Sequence, residues 1–256
     1  MNIQGQAALV TGAGSGLGEA VARALVAAGA RVALLDINEA AARRVADELG
    51  ASALALRCDI ADGACAAGAL DAAAAAHGPA RILMNIAGVG GAKRVIQRDG
   101  SPAPLEDFER TLRINLVGTY NMVRLFAARA AALEGGTDGE RGVIVNTASV
   151  AAFDGQVGQE AYAASKAGVA GMTLPLARDL AQWGVRVCTI APGIFATPLL
   201  KELPEPVQQS LAQSIPFPKR LGDPAEFASL ALHIVTNGHL NGEVIRLDGA
   251  LRMAPR

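Results

Sequence analysis

Short apolar runs alternate along this chain with longer stretches in which apolar positions recur every three or four residues. The runs at 7–11, 31–36, 53–57, 82–86, 142–147, 185–191 and 243–247 predict seven strands, because continuous apolar runs suit strands covered on both faces. Helical spacing predicts helices near 16–28, 39–49, 61–76, 105–132, 157–182 and 223–236. Gly29, Gly50, Gly78 and Gly184 follow four of these, where a left-handed cap is wanted. Asp223-Pro224-Ala225-Glu226 starts the last helix with Asp at the N-cap, Pro at N1 and Glu at N3. Strand–helix alternation at this spacing implies βαβ units and a parallel sheet with helices on both faces, hence an α/β fold. No linker, repeat or low-complexity segment divides the chain, so one domain over 1–256 is expected.

Two connections are too long for ordinary loops. Residues 89–104 carry Gly90-Gly91 and prolines at 102 and 104, and residues 192–218 carry six prolines around a short polar helical pattern. Both follow strands, so both belong at the carboxyl edge of the sheet, where such folds bind ligands. The second is the candidate lid.

Composition narrows the function classes. The 51% apolar and 18% charged content is that of a globular chain, and the net charge of −1 comes without any dense Lys/Arg run. Nucleic acid is therefore not an expected partner. Cys58, Cys65 and Cys188 are odd in number and lack C-x-x-C spacing, and His77, His233 and His239 are scattered. Neither a disulfide framework nor a metal centre is expected, and the thiols fit a reducing, cytoplasmic compartment. The start of the chain runs directly into the first strand without a basic segment, so no signal peptide is expected; the Ala-rich runs are too short for a membrane span.

The chemistry begins at Thr11-Gly12-Ala13-Gly14-Ser15-Gly16-Leu17-Gly18, between the first strand and the first helix. Glycines let backbone approach a pyrophosphate, and a helix N-terminus favours the anion. Asp36 ends the second strand, where a carboxylate can accept hydrogen bonds from ribose hydroxyls and would repel a 2′-phosphate, favouring NAD over NADP. Its alternative role is a cap before Asn38-Glu39. Asp59 with Ile60 ends the third strand and Asn85-Ile86-Ala87-Gly88 the fourth; alone, each reads as a strand-end cap. Asn115, polar within an apolar helical pattern, reads by itself as a locally bonded amide.

Tyr162 and Lys166 stand four residues apart on one predicted helix, downstream of Ser149. Positions i and i+4 share a helix face. A free tyrosine, with pKa about 10, is a poor base. A cation about 4 Å away at an effective dielectric near 20 is worth roughly 4 kcal/mol, or about three pKa units, which poises the phenol near neutrality. Tyr-x-x-x-Lys alone is a weak signal, and most such pairs are surface neighbours.

In sequence order, the T-G-x-x-x-G-x-G turn, Asp59, Asn-x-Ala-Gly at 85–88, Asn115, Ser149, Tyr162, Lys166 and Pro192-Gly193 resemble the short-chain dehydrogenase/reductase family over nearly the whole chain. The resemblance implies a single-domain Rossmann-type doubly wound seven-stranded sheet. An NAD-binding half would cover about 1–150, with the catalytic helix, substrate loop and lid in about 151–256. It implies that Tyr162 exchanges the proton with the substrate oxygen and that Ser149 hydrogen-bonds that oxygen. Lys166 would lower the tyrosine pKa and hold the nicotinamide ribose, and Asn115 would kink its helix and position a water. The expected NAD contacts are Gly12, Ser15, Gly16, Leu17, Gly18, Asp36, Asp59, Ile60, Asn85, Ile86, Ala87, Gly88, Tyr162, Lys166, Pro192, Gly193, Phe195 and Thr197. Ile86 departs from the second Asn of the family's N-N-A-G; its backbone is the expected contributor.

Residues 142–200, with Asn146-Thr147-Ala148-Ser149-Val150-Ala151-Ala152-Phe153 and Gly155-Gln156-Val157-Gly158-Gln159, are similar to a branch of the family that acts on 3-hydroxyacyl-CoA thioesters with NAD as homotetramers. This implies fatty acid metabolism, with Ser149, Gln159 and Tyr162 on the substrate and Phe195 and Thr197 lining the pocket. Lys93, Arg94 and Arg98 are candidates for the CoA phosphates, or form a solvated basic loop. The apolar Val150, Phe153, Phe195, Leu199 and Leu200 leave a steroid or secondary alcohol open as substrate. A non-catalytic RNA-processing scaffold is a further alternative, opposed by the absence of a basic stripe.

Overall fold

The computed structural model describes residues 1–201 and 204–255. Seven strands, β1 (Ala7–Thr11), β2 (Arg31–Asp36), β3 (Ala53–Arg57), β4 (Ala80–Asn85), β5 (Gly142–Thr147), β6 (Val185–Pro192) and β7 (Val244–Leu247), pair in the order β3-β2-β1-β4-β5-β6-β7. Every pairing is parallel. The helices are α1 (Gly16–Ala27), α2 (Glu39–Leu49), α3 (Gly63–His77), α4 (Leu105–Leu112), α5 (Thr119–Ala131), α6 (Glu160–Ala181), α7 (Pro198–Lys201), α8 (Glu205–Gln213) and α9 (Pro224–Thr236).

Side chains alternate across each strand, so the sheet has a core on each face. Ala8 and Val10 of β1 pack with Val21, Leu25, Phe227 and Ile234 of α1 and α9. Leu9 between them packs with Leu70, Met122 and Phe126 of α3 and α5. Each fully buried Phe or Leu contributes roughly 1.5–3 kcal/mol relative to exposure. This is the doubly wound architecture expected from the sequence. The strand order reverses between β1 and β4, which opens a crevice at their carboxyl ends.

Most element ends match expectation to within two residues. The four predicted cap glycines all have positive φ, and Asp223 and Glu226 form the reciprocal capping box of α9. Two predictions are corrected. The single helix expected over 105–132 is divided by a π-helical turn at Arg113–Gly118. The helix expected from 157 begins at Glu160, because Gly158 has φ 88° and Gln159 φ −95°, ψ 18°. The candidate lid contains α7 and α8; Glu202, Leu203 and the side chain of Leu199 lie outside the described residues.

Candidate active site

The glycine turn is held by contacts that exclude any side chain. A Cβ on Gly12 would lie 2.8 Å from Ala87 Cα, and one on Gly18 would lie 2.0 Å from Gly12 O. Ser15 is the N-cap of α1 but makes no side-chain capping bond, so the first amides of the helix are left for another acceptor. The Asp36 carboxylate accepts from Gly14 N at 2.9 Å and from Asn38 N at 2.9 Å, tying β2 to the turn. Asn38, not Asp36, caps α2. Asp59 Oδ1 accepts from Ala61 N at 2.9 Å, and Asp62 rather than Asp59 caps α3.

These residues border one cleft of about 680 Å³ at the sheet's reversal point. Gly12, Ser15, Gly16, Leu17 and Gly18 line it from the turn. Asp36, Asp59 and Ile60 line it from β2 and β3, and Ile86, Ala87 and Gly88 from β4. Thr197 closes it from the loop after β6, its methyl facing Gly16.

Six predicted contacts are not in that lining: Tyr162 and Lys166, which sit with Ser149, and Asn85, Pro192, Gly193 and Phe195. Asn85 is buried and donates to Asn146 Oδ1 at 2.9 Å, linking the ends of β4 and β5. Pro192 ends β6, and Gly193 N donates to Leu247 O at 2.9 Å. A Cβ on Gly193 would meet Asp248 at 2.8 Å. The Phe195 ring turns inward, 6% exposed and edge-on to Phe227 at 6.2 Å, because burial in the core outweighs a half-wet position at the cleft. Its carbonyl instead accepts from Thr197 N at 2.7 Å.

Three residues carry no role in the sequence reading. Arg110 and Arg113 stand exposed on the cleft rim, and only the fold brings them there. Thr11 Oγ1 accepts from Ile86 N at 3.0 Å and Ala87 N at 3.1 Å, fixing the β4 end against the turn. Its place at the head of the glycine motif was the available signal. The first of these bonds engages the backbone of Ile86, so its departure from Asn costs nothing there.

Ser149, Tyr162, Lys166 and Asn115 do come together around β5 and α6. Lys166 is 4% exposed, donates to Thr147 O at 2.9 Å, and has its Nζ 5.9 Å from the Tyr162 ring centre. Asn115, fully buried in the π turn, is not the locally bonded amide of the bare pattern. It accepts from Val89 N at 2.8 Å and donates to Val89 O at 2.9 Å and to Ser165 Oγ at 3.0 Å. Its own carbonyl accepts from Thr119 Oγ1 at 2.7 Å. Ser149 Oγ accepts from Ala151 N at 3.1 Å, capping the short turn Val150–Ala152.

The electrostatics correct the expectation of a phenol poised near neutrality by its lysine. Burial raises the Tyr162 pKa, and the neighbouring Ser149 hydroxyl opposes this without reversing it. The same burial lowers Lys166 to about 8. Desolvation wins at both groups because burial disfavours whichever form carries charge.

A profile of the short chain dehydrogenases matches residues 6–208. The chain belongs to that family. It is thus an oxidoreductase, and its likeness to particular members is full-length. It is 51% identical over 254 residues to 3-hydroxyacyl-CoA dehydrogenase type-2 of Drosophila melanogaster, covering 99% of this chain and 100% of that one. The crystal structure of 3-hydroxyacyl-CoA dehydrogenase type-2 from Mycobacterium avium superposes with a TM-score of 0.94 at 44% identity, covering all of both chains. A 3-ketoacyl-(acyl-carrier-protein) reductase from Brucella melitensis, crystallised with NADH, superposes with a TM-score of 0.87 at 32% identity, covering 98% of this chain and 100% of that one.

Beside the cleft of this family member lies a second groove of about 450 Å³ between the 89–104 loop, α4 and the start of α6. Arg110 borders both. Within it Lys93 is ion-paired to Asp107, so of the three basic candidates only Arg94 and Arg98 remain exposed without such a partner among the described residues. Gln159 lies just ahead of Tyr162, its Oε1 accepting from Gln156 N at 3.0 Å. Val150 is buried, while Phe153 is 52% exposed. Among the described residues no group of His, Cys, Asp and Glu could hold a metal, and no helix is long and apolar enough to cross a membrane.

Proposed function

We propose that this chain is an NAD-dependent dehydrogenase interconverting 3-hydroxyacyl-CoA and 3-ketoacyl-CoA. The observation that carries the reading is the combination of a Ser149–Tyr162–Lys166 site with about half-identical, full-length relatives bearing that activity in their names. The site fits a dinucleotide. The glycine cradle would meet the pyrophosphate at the start of α1, and Asp36, already oriented by Gly14 N, would take the adenosine ribose. NAD, when bound, supplies the hydride acceptor.

The chain's own residues handle the proton. In reduction the protonated Tyr162 gives its proton to the carbonyl oxygen, and in oxidation its ionised form takes the proton of the C3 hydroxyl, so oxidation should quicken as pH rises. Ser149, 8% exposed, hydrogen-bonds that oxygen as negative charge grows on it. Lys166, held by Thr147 O, keeps positive charge beneath the phenol when protonated. Exposed Arg94 and Arg98 are the candidates for CoA phosphates, with a solvated basic loop as the alternative.

The test is a substrate panel followed by NADH absorbance, running acetoacetyl-CoA, branched 3-ketoacyl-CoA, steroids and simple ketones with NADH and NADPH. Fastest turnover of acetoacetyl-CoA with NADH is expected. Preference for a steroid would replace the substrate assignment and leave the redox one, and no turnover of any carbonyl would overturn both. A homotetramer is part of the proposal, supported by the half-exposed Tyr120 and Trp183 along a groove between α5 and α6. Light scattering should return four times the 26.1 kDa of one chain. The free thiols fit a cytoplasmic location, which cell fractionation checks.

A further inference from the structure

Residues 150–159 connect Ser149 to the helix carrying Tyr162. Val150 and Ala151 anchor its start in the core, but Phe153 is 52% exposed and Val157 45%, with Gly155 and Gly158 beside them. From Phe153 onward the segment buries little apolar area and has only short-range bonds of its own, such as Asp154 N to Val150 O and Gln159 N to Gln156 O, so hydrogen bonds and charge from elsewhere add to its hold. Those come from the end of the chain. Arg246 of β7 donates to Asp154 Oδ2 at 2.6 Å and to Asp248 Oδ2 at 2.7 Å, and its guanidinium lies 5.3 Å over the Phe153 ring. The same arginine donates to Leu251 O at 2.9 Å, turning the tail back across the loop. There Val157 N donates to Pro255 O at 3.1 Å and Gln156 Nε2 to Ala254 O at 2.9 Å. On the far side Lys93 N donates to Gly158 O at 2.7 Å, joining the loop to the groove rim.

We infer that residues 246–255 form a strap that presets the 153–159 segment for the substrate, with Arg246 as its positioning residue. Leu247 and Asp248 pack on Gly193, but Arg246 and residues 250–255 neither line the cofactor cleft nor contact Tyr162, so their effect falls on substrate fit. The guanidinium serves Asp248 from Nε and Asp154 from Nη2, two separated donors in a fixed plane that the single nitrogen of a lysine does not reproduce. The substrate side of this inference rests on the acyl-CoA reading.

The experiment compares the wild-type enzyme with a chain ending at Met253, with Arg246→Lys and with the milder Asp154→Asn. Amide exchange at Val157, the KM and kcat for acetoacetyl-CoA, and the Kd for NADH are measured on each. In the shortened chain Val157 should exchange at least about five-fold faster and KM should rise about five- to twenty-fold, with kcat and the NADH Kd within about two-fold. Arg246→Lys and Asp154→Asn should move KM in the same direction by less. Unchanged Val157 exchange and KM overturn the strap, as does a KM rise matched by an equal rise in NADH Kd, which marks general loosening. If the wild-type enzyme ignores acetoacetyl-CoA, the acyl-CoA reading falls, and Val157 exchange alone decides the strap: faster supports it, unchanged overturns it.

Discussion

At Tyr162 and Lys166 the same physical force acts with opposite sign. Loss of water disfavours charge, so the phenol's pKa rises and the ammonium's falls to about 8. The unfolded lysine titrates near 10.5. Between about pH 8 and 10 the unfolded chain therefore holds a proton on this lysine that the folded chain has released, so the Lys166 contribution to stability rises with pH across that window. Cys58, pushed up to about 12 by burial, and Cys188, also raised, oppose it from about pH 9, and Tyr162 joins them above about 10, since the unfolded thiols and phenol ionise first. Urea midpoints of the cofactor-free protein should therefore gain more between about pH 8 and 9 in the wild type than in Lys166→Met. Tyr162→Phe removes the proton-transfer group while keeping the ring's packing. It should lower kcat by about 10²–10⁴-fold or more with NADH affinity nearly unchanged, as single-turnover and fluorescence titration would reveal. Residual turnover near wild type would remove Tyr162 from its assigned role.

The element that most changes the site is the π turn at Arg113–Gly118. It aims Asn115 inward, where three bonds tie the turn to Val89 and to Ser165 on α6. Asn115→Ala removes the partner of both backbone groups of half-buried Val89, while Ser165 keeps its bond to Tyr162 O. With two lost partners at about 0.5–1.5 kcal/mol each, a net loss of about 1–3 kcal/mol in urea unfolding is expected, together with reduced turnover. The family resemblance implied a kink at Asn115, but the residue pattern did not show the π turn, because one extra residue per turn leaves an apolar helical pattern that a regular helix also satisfies. The start of α9 was visible, since Asp223, Pro224 and Glu226 satisfy their own helix terminus locally.

At the scale of the whole molecule, the reversal of strand order between β1 and β4 gathers the glycine turn, Asp36 and the β4 end into one cleft. Asp36→Ala should raise the NADP/NAD preference by about ten-fold, read as the ratio of kcat/KM values, by removing a charge that repels the 2′-phosphate. An unchanged ratio would take that role from Asp36. The sequence by itself determined the strands, the helices, their parallel winding and most of the cleft's lining, because periodicity, caps and close-packed glycines act over a few residues. Tertiary structure alone decided the inward turn of Phe195, the arrival of Arg110 and Arg113 at the rim, the crossing of the tail beneath Val157 and the direction of the Tyr162 shift. Each of these depends on what distant segments place around a residue, and in particular on how much water they leave there.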